Sequence, residues 1–541
     1  MTSWFTKLLD SIPAELSKFI PESFTLKELV TGVENAVSKA NTTKEAQKLL
    51  QAIEACLHQT NGDYEDSDSA NPLALIISQL ISPVVPSTKD DDTNLNAAFN
   101  ENLTKSVSQQ IQRSRALSIL GIKALSALTT LTSAQLDPEV ILTLISFADP
   151  SQEWTTAETA QLASDIITKQ FTTHHKKEDF IPKHILQTYL RPLFSKSKPA
   201  SVTSSGRKAA YPDQSQDDRG IPDDTSATKP WKFIDLRAIP IVSWAVTEAN
   251  DSIIQSSWPL YIPVLLTLVD DNATPIRCRG LIILNSFLQQ FPQKTLSDSG
   301  LAKVFEDAIF PTLTYLPSLT PVDESVQLLT PAYEALLTLA SKFSPPSNHA
   351  LLDRIFRQGI LEGHFHAKEH LRIVQILNTQ TVRIVNTMGI HAVKHLKDLI
   401  PSLIVTTLTD PFAPASPGIL LSAIKTLQAV LTNCWPRIPN HQDEILNALV
   451  FCWLNVTSSS DANNQLQEVE KELITSSRLL SAVFSTKGTS SSSSSQVLPL
   501  SQLVSPLIQK EPSLARLFAL SGSAEQPTSQ ILTPKQDSQH P

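Results

Sequence analysis

The sequence predicts an all-α solenoid of stacked helical hairpins, interrupted and followed by disordered segments. Three observations carry that expectation. Glycine is only 13 of 541 residues, against a usual share of roughly 7%, so tight hairpins and phosphate-cradling loops have little material. Apolar residues make up 41% of the chain, recur at three- and four-residue steps, and nowhere alternate persuasively as a strand. Residues 258–290 read as one complete hairpin. Tyr261, Val264, Leu265 and Leu268 line one helix face, Asp270, Asp271 and Asn272 supply the turn, and Thr274-Pro275 restarts the chain. Leu281, Leu284 and Leu288 form the answering stripe. A lone hairpin cannot bury its apolar face, so neighbours must stack on both sides.

The elements follow in order. Residues 1–194 read as an irregular N-terminal helical region. Trp4, Phe5, Leu8, Leu9 and Ile12 make an amphipathic stripe, but Asp10 and Glu15 interrupt it and no apolar h-region is present. That segment reads as a capping helix folded onto the body, not a signal peptide. Ala46, Leu49, Leu50 and Ile53 form the next stripe, and an acidic loop (Asp63, Glu65, Asp66, Asp68) precedes an apolar helix at 72–81. After a polar gap at 83–95, helices are expected at 96–133, 137–147, 154–170 and 178–194. Residues 195–230 are rich in Ser, Pro, Lys and Asp and cannot offset their ordering entropy, so they read as a disordered linker. Residues 231–486 form the strongly patterned region. The order of apolar helix, Asp271 in the turn and Arg277 in the second helix resembles a HEAT repeat, within the HEAT/armadillo-like class. There Asp271 and Arg277 are read as a structural ladder of carboxylate and guanidinium.

Within that region Thr320 is read as an N-cap with Pro321 at the first helical position and Asp323 in the first turn. Pro331 is expected to kink or restart the helix that follows. Pro138, Pro182, Pro259, Pro311, Pro321 and Pro401 are read as marking helix starts. Leu396, Leu399, Leu403 and Ile404 face Leu420, Ile424, Leu427 and Leu431 across a turn at Asp410-Pro411. Residues 487–541 read as a Ser-rich, mostly disordered tail, with an apolar stretch at 498–520 suited to docking back.

Charge and motifs narrow the function. The formal net charge is −9, and nucleic-acid binders usually carry a basic stripe, so nucleic acid is not an expected partner. Cys56, Cys278, Cys434 and Cys452 lie scattered on apolar helical segments without a CxxC pair and read as small buried residues in a reducing compartment. No apolar run is read as approaching the ~20 residues that cross a bilayer, and no membrane is expected. No GxSxG, Walker, GxGxxG or kinase catalytic-loop pattern occurs, so no enzyme and no cofactor are expected. His364, His366 and His370 cluster, and His366/His370 and His391/His395 share the i, i+4 spacing of zinc proteases. Ala367 follows His366 where those motifs place Glu, so a solvated, weakly basic helix face is read in preference to a metal-dependent hydrolase. Residues 350–400 carry seven Lys/Arg against four Asp/Glu, a stretch suited to an acidic partner. The His174-His175-Lys176-Lys177 run reads as solvated. Trp258, Trp435 and Trp453 read as core or helix-end aromatics, and Arg279, pointing away from Arg277, as the better interaction candidate.

One block is more specific than a generic repeat. VDDNATPIRCRGLIILNSFL, then VFEDAIFPTLTYLPSLTPVDESVQLLTPAYEALLTLA, resembles the Tel-two-interacting protein two family, a HEAT-like subunit of the Triple T complex. The resemblance covers roughly 231–455. It implies a non-catalytic scaffold or co-chaperone subunit, resident in cytoplasm and nucleus. It implies Tel-two-interacting protein one as partner and, through it, Tel-two. The ninety-kilodalton heat-shock chaperone and phosphatidylinositol-3-kinase-related kinases, including checkpoint and TOR kinases, would be met indirectly. The candidate partner-binding residues are those of the block: Arg279, Pro317, Ser318, Leu319, Thr320, Pro321, Asp323, Glu324 and Ser325, with Gly280 beside Arg279. A HEAT-type nuclear transport or other adaptor is the alternative.

Overall fold

The computed structural model describes residues 3–10, 20–21, 24–38, 42–59, 69–83, 97–197, 224–458, 464–487 and 500–518. Among these described residues all regular structure is helical. The chain divides into two compact units, Met1–Ile309 and Phe310–Pro541, a division well C-terminal to the 195–230 linker.

In the first unit, α1 (Ser3–Asp10) buries Phe5 and Leu8 against α2 (Leu26–Val37) and α3 (Thr43–Gln59), which places it as the cap its stripe suggests. Thr25 and Glu28 close a reciprocal capping box at the start of α2, each accepting the other's backbone N–H at 3.2 Å. Then come α4 (Ala70–Ile81), α5 (Ala97–Thr132), α6 (Pro138–Phe147) and α7 (Ala157–Thr173). Asp137 caps α6 by accepting from the Glu139 N–H at 2.8 Å, with Pro138 in the first turn, where its missing N–H costs nothing. α8 (Lys177–Phe180) runs through a π-helical segment, Ile181–Leu190, into α9 (Arg191–Phe194). Pro182 sits at the start of that wider turn, which relieves the clash between its ring and the carbonyl four residues back.

The unit continues with α10 (Pro230–Phe233), α11 (Ala238–Thr247), α12 (Asp251–Val269), α13 (Thr274–Gln290), α14 (Gln293–Ser299) and α15 (Leu301–Ile309). One layer is built as α4, α6, α11 and α13 pack in succession. The other holds α3, α5 and α7 and, further on, the Ile181–Leu190 segment with α12 and α15. Asn250 caps α12 by accepting from the Ile253 N–H at 3.0 Å, so the helix begins eight residues before the reading at Pro259 placed a start. Pro259 and Pro263 both lie inside it. α12 is also long and apolar enough to cross a membrane by length and composition, which corrects the expectation that no run approaches that length. Its Tyr261, Ile262, Leu265, Leu266 and Leu268 are core, packed on α13 and the Ile181–Leu190 segment. Gly280 lets α13 close on α12. A Cβ there would lie 2.7 Å from the Leu268 carbonyl carbon and 2.9 Å from the Val269 nitrogen.

The second unit opens with a 3-10 turn, Phe310–Thr314, and α16 (Val322–Ser341). The N-cap of α16 is Pro321, not Thr320, and Asp323 and Glu324 both fall in its first turn, where the helix dipole favours them. The helix runs through Pro331 without the expected restart. Then follow α17 (Ser347–Arg354), a π segment Ile355–Leu361, α18 (Glu362–Ala367) and α19 (Leu371–Met388). After a 3-10 stretch, Gly389–His395, come α20 (Leu396–Leu399), a π segment Ile400–Val405 holding Pro401, and α21 (Thr406–Thr409). The unit closes with α22 (Pro417–Asn433), α23 (Gln442–Ser458), α24 (Asn464–Lys487), α25 (Leu500–Lys510) and α26 (Leu514–Leu517).

Here α16, α19, α22 and α24 pack in succession as one layer, and the intervening segments form the second. Gly359, in the Ile355–Leu361 segment, leaves room for Tyr333, whose hydroxyl would be 2.9 Å from an added Cβ. Leu500, Val504, Leu514 and Leu517 are buried, and α26 packs on α23 and α24, with the Arg516 guanidinium 5.6 Å from the Trp453 ring centroid and 3.0 Å from Glu470. The apolar stretch of the tail therefore docks. The rest of the tail expected to be disordered, 488–499 and 519–541, lies outside the described residues, as do 198–223 of the linker. Residues 224–230, assigned to that linker, instead form a turn and the start of α10.

Candidate interaction surface

The Asp271 corner is a structural clasp of a different kind from the ladder expected. The Asp271 carboxylate is fully buried and binds Lys229 Nζ at 2.7 Å, Lys232 Nζ at 3.1 Å and the Ala273 N–H at 2.9 Å. Asp224 bridges the same two ammonium groups at 2.9 and 2.6 Å, which closes a ring of four charges. Burial works against charge at Asp224 and Lys229 alike, but hydrogen bonds win, from Lys232 and Lys229 to Asp224 and from Lys229 to Asp271 and Asp224, holding Asp224 below and Lys229 above its ordinary value. Arg277, also buried, reaches Asp271 through the main chain: Nε donates to the Asp271 carbonyl at 3.0 Å, and Nη2 to that of Asp270 at 3.3 Å. The guanidinium thus satisfies carbonyls left over at the end of α12.

A second clasp went unread in the sequence. Arg237 donates to Asp235 from Nε and Nη2, both at 2.9 Å, to Glu139 at 2.7 Å and to Thr143 at 2.8 Å. The Tyr189 hydroxyl donates to Asp235 at 2.9 Å, so α6, the Ile181–Leu190 segment and the start of α11 are tied together. Asp235 and Arg237 are two residues apart, but Tyr189, Thr143 and Glu139 come from 46 to 98 residues away, which is why no local pattern marks the clasp. Arg279 is bound as well. It forms an ion pair with Asp149, both side chains about a quarter exposed.

The 317–325 block does lie together, spanning the turn before α16 and the first turn of that helix. Pro317 and Ser325 face inward, and the Ser325 hydroxyl donates to the Pro321 carbonyl at 3.2 Å, so these two serve the turn. Thr320 and Glu324 are half-buried, while Ser318, Pro321 and Asp323 are exposed. Ser318 takes the left-handed conformation (φ 94°), a strained state for a residue with a Cβ, and the next side chain, Leu319, stands 91% exposed.

Leu319 is one of a series. Two cross-helix bonds along each pair run in the same order: Asp323 to Arg372 and Glu334 to Arg383 between α16 and α19, Asn378 to Ser422 and Asn386 to Asn433 between α19 and α22. Helices matched in this way are parallel, so α16, α19 and α22 start at one edge. The segments leading into α16, α19 and α22 present Leu319 and Phe412 from turns and Phe365 from α18, and these are 91%, 83% and 74% exposed. They lie 46 and 47 residues apart in sequence. Large apolar side chains exposed before successive helices of one layer mark an interaction surface, where single scattered ones would not.

The histidines divide. His364, His366 and His370 lie at this edge, and among the described residues no group of three His, Cys, Asp or Glu is placed to hold a metal. His395 is buried, not solvated. Its Nε2 lies 2.8 Å from Asp353 Oδ1 and its ring 4.5 Å from that of Phe356. Burial lowers its titration against the pull of Asp353, while Lys394 and His395 hold Asp353 below the usual carboxylate range against its own burial. His175 is not simply solvated either, since Nε2 meets the Leu136 carbonyl at 3.1 Å, and Lys177 pairs with Glu248 at 2.5 Å. Trp453 is core, Trp258 half-buried and Trp435 exposed at the turn after α22. Burial pushes the Cys56 and Cys452 thiols up to about 12 and Cys434 to about 11, far from a reactive thiolate.

The Tti2 family model matches residues 140–415, just over half of the chain. Among solved structures, the chain is similar to the crystal structure of Kap121p at 12% identity, covering 90% of this chain and 46% of that one with a TM-score of 0.39. It is similar to Kap121p bound to Pho4p at 11% identity, covering 96% and 52% (TM-score 0.35). The karyopherin Kap121p bound to the SUMO protease Ulp1p matches at 12%, covering 89% and 50% (TM-score 0.31). The chain spans about half the length of these structures.

Proposed function

The chain belongs to the Tti2 family, and from that premise we propose that it is a non-catalytic subunit of the Triple T complex. Family membership carries the reading, because the matched residues 140–415 include the Asp271 clasp, the Arg237 clasp but for Glu139, and all three exposed apolar side chains. The polar groups of the clasps are spent on one another, and burial raises all four thiols, with Cys56, Cys434 and Cys452 buried and Cys278 partly so; neither offers an activated nucleophile or base. What remains outward-facing is the row of Leu319, Phe365 and Phe412, which suits a protein partner.

The partner in this reading is Tel-two-interacting protein one and, through it, Tel-two. The assembly supports maturation and stability of phosphatidylinositol-3-kinase-related kinases together with the ninety-kilodalton heat-shock chaperone, in cytoplasm and nucleus. A nuclear transport adaptor is the other reading open to a helical array, and the family match does not favour it. Affinity purification of the tagged chain with mass spectrometry separates the two. Stoichiometric Tel-two-interacting protein one supports the proposal, whereas transport cargo and nucleoporins without it refute it.

A further inference from the structure

We propose that the face of α23 and α24 covered by α26 is a seat for an amphipathic helix, kept filled in this chain by its own segment 500–518, which acts as an autoinhibitory strap. The ligand is a helix with apolar residues at i, i+3 and i+4 and a cation between them. The inference goes beyond the Triple T reading and does not rest on it.

The seated segment shows what the seat takes. α26 packs on both α23 and α24, and Leu514, Leu517 and the adjoining Phe518 are at most 4% exposed. They stand at i, i+3 and i+4, one stripe of a helix. Between them lies Arg516, 3.0 Å from Glu470 and with its guanidinium 5.6 Å from the Trp453 ring centroid. Charge agrees with this pairing. The start of α24 carries Glu468, Glu470 and Glu472 against Lys471, while 500–518 carries Lys510 and Arg516 against Glu511. The ligand's stripe and sign are therefore those of residues 514–518.

The contact is built to open. The segment joins α24 through residues 488–499, half of them the serine run 490–495, so no neighbouring helix forces it into place. α26 spans four residues, too short to hold a helix by itself. Arg516 is 71% exposed in its pair with Glu470, and a surface pair of that kind is exchanged at little cost. Trp453 Nε1 and Ser513 Oγ, from the two sides of the contact, are buried without a hydrogen-bond partner, a cost that a ligand helix need not carry. A connection of this length holds the strap at an effective concentration on the order of millimolar. The seat therefore stays filled at rest, and a helix in trans has to compete for it.

The test uses the full chain and a fluorescent peptide of residues 498–520. Leu514→Asp with Leu517→Asp frees the seat from its own strap, and this variant should bind the peptide at least about tenfold more tightly than the wild-type chain. Arg516→Glu, at an exposed position, should move the affinity in the same direction. Adding Glu470→Arg to the double variant should weaken binding at least about fivefold, and a peptide carrying Arg516→Glu should recover it. In hydrogen exchange on the wild-type chain, the amides of 500–518 should exchange well ahead of those of α22 and α24. Equal affinity of wild type and double variant overturns the inference, as does binding to neither. Unchanged affinity after Glu470→Arg, or exchange of 500–518 only together with the core, overturns it as well.

Discussion

Replacing Asp271 by alanine removes a carboxylate that is wholly enclosed and neutralises two ammonium groups. Lys229 and Lys232 have side chains only 13% exposed, so after the substitution they share Asp224 alone at a site they cannot fully leave. The Ala273 N–H at the start of α13 also loses its acceptor. A charge-assisted bond is worth about 1.5–3 kcal/mol, and breaking a buried pair from one side about 3–5 kcal/mol. Retained Asp224 and the flexible lysine stems bring the expected loss to about 2–4 kcal/mol, above what a turn contact alone would give. At about 2–4 °C per kcal/mol for a large domain, melting of the first unit should fall by roughly 5–15 °C. Differential scanning calorimetry reads this directly. Asp271→Asn, which keeps the acceptor for Ala273 but not the charge, should fall between alanine and wild type. Unchanged melting in both variants would refute the clasp.

Arg279→Ala should cost at most about 1 kcal/mol, since its partly exposed pair with Asp149 is screened; denaturant titration checks this, and a loss above about 3 kcal/mol would contradict it. Gly280→Val should destabilise by about 2–3 kcal/mol, because the added Cβ meets the α12 backbone and not a movable side chain; thermal melting at wild-type level would show that the helices part freely. Asp224 and Asp235 titrate below their ordinary value when folded, so their contribution is present above about pH 4 and lost as pH falls further; Lys229, raised, contributes below about pH 10 and loses that above it. Denaturation at stepped pH should therefore show the first unit weakening at both extremes, and a flat profile would be at odds with the clasps. His395 titrates below its ordinary value, so the second unit should lose stability as pH drops from about 6.5, and His395→Gln should flatten that slope.

The helices were readable because their cores repeat locally. Tyr261, Leu265 and Leu268 against Leu281, Leu284 and Leu288 needed only a 3.6-residue period, and all six are buried. Prolines misled where tertiary packing outweighed local cost, as at Pro259 and Pro331, both inside continuous helices. The partners of Asp271 were out of reach because Lys229 and Lys232 lie about forty residues upstream, at the edge of a stretch whose composition argued against order. His395 misled for a related reason. Its i, i+4 relation to His391 is visible in sequence, but its burial depends on Asp353 and Phe356 from the preceding repeat. Of the candidate site, Leu319 was named within its block, while Phe365 and Phe412 were not. The 46- and 47-residue spacing was present in the sequence, yet it marks a surface only once parallel helices place those side chains along one edge.

The most direct test of the account is depletion followed by rescue in cells, with the amounts of several phosphatidylinositol-3-kinase-related kinases and their transcripts measured together. Depletion should lower the kinases jointly while transcripts hold. The wild-type chain should restore them, and a chain carrying Leu319→Asp, Phe365→Asp and Phe412→Asp should not, though present at equal level. Normal kinase amounts after depletion, or full rescue by the triple variant, would contradict it.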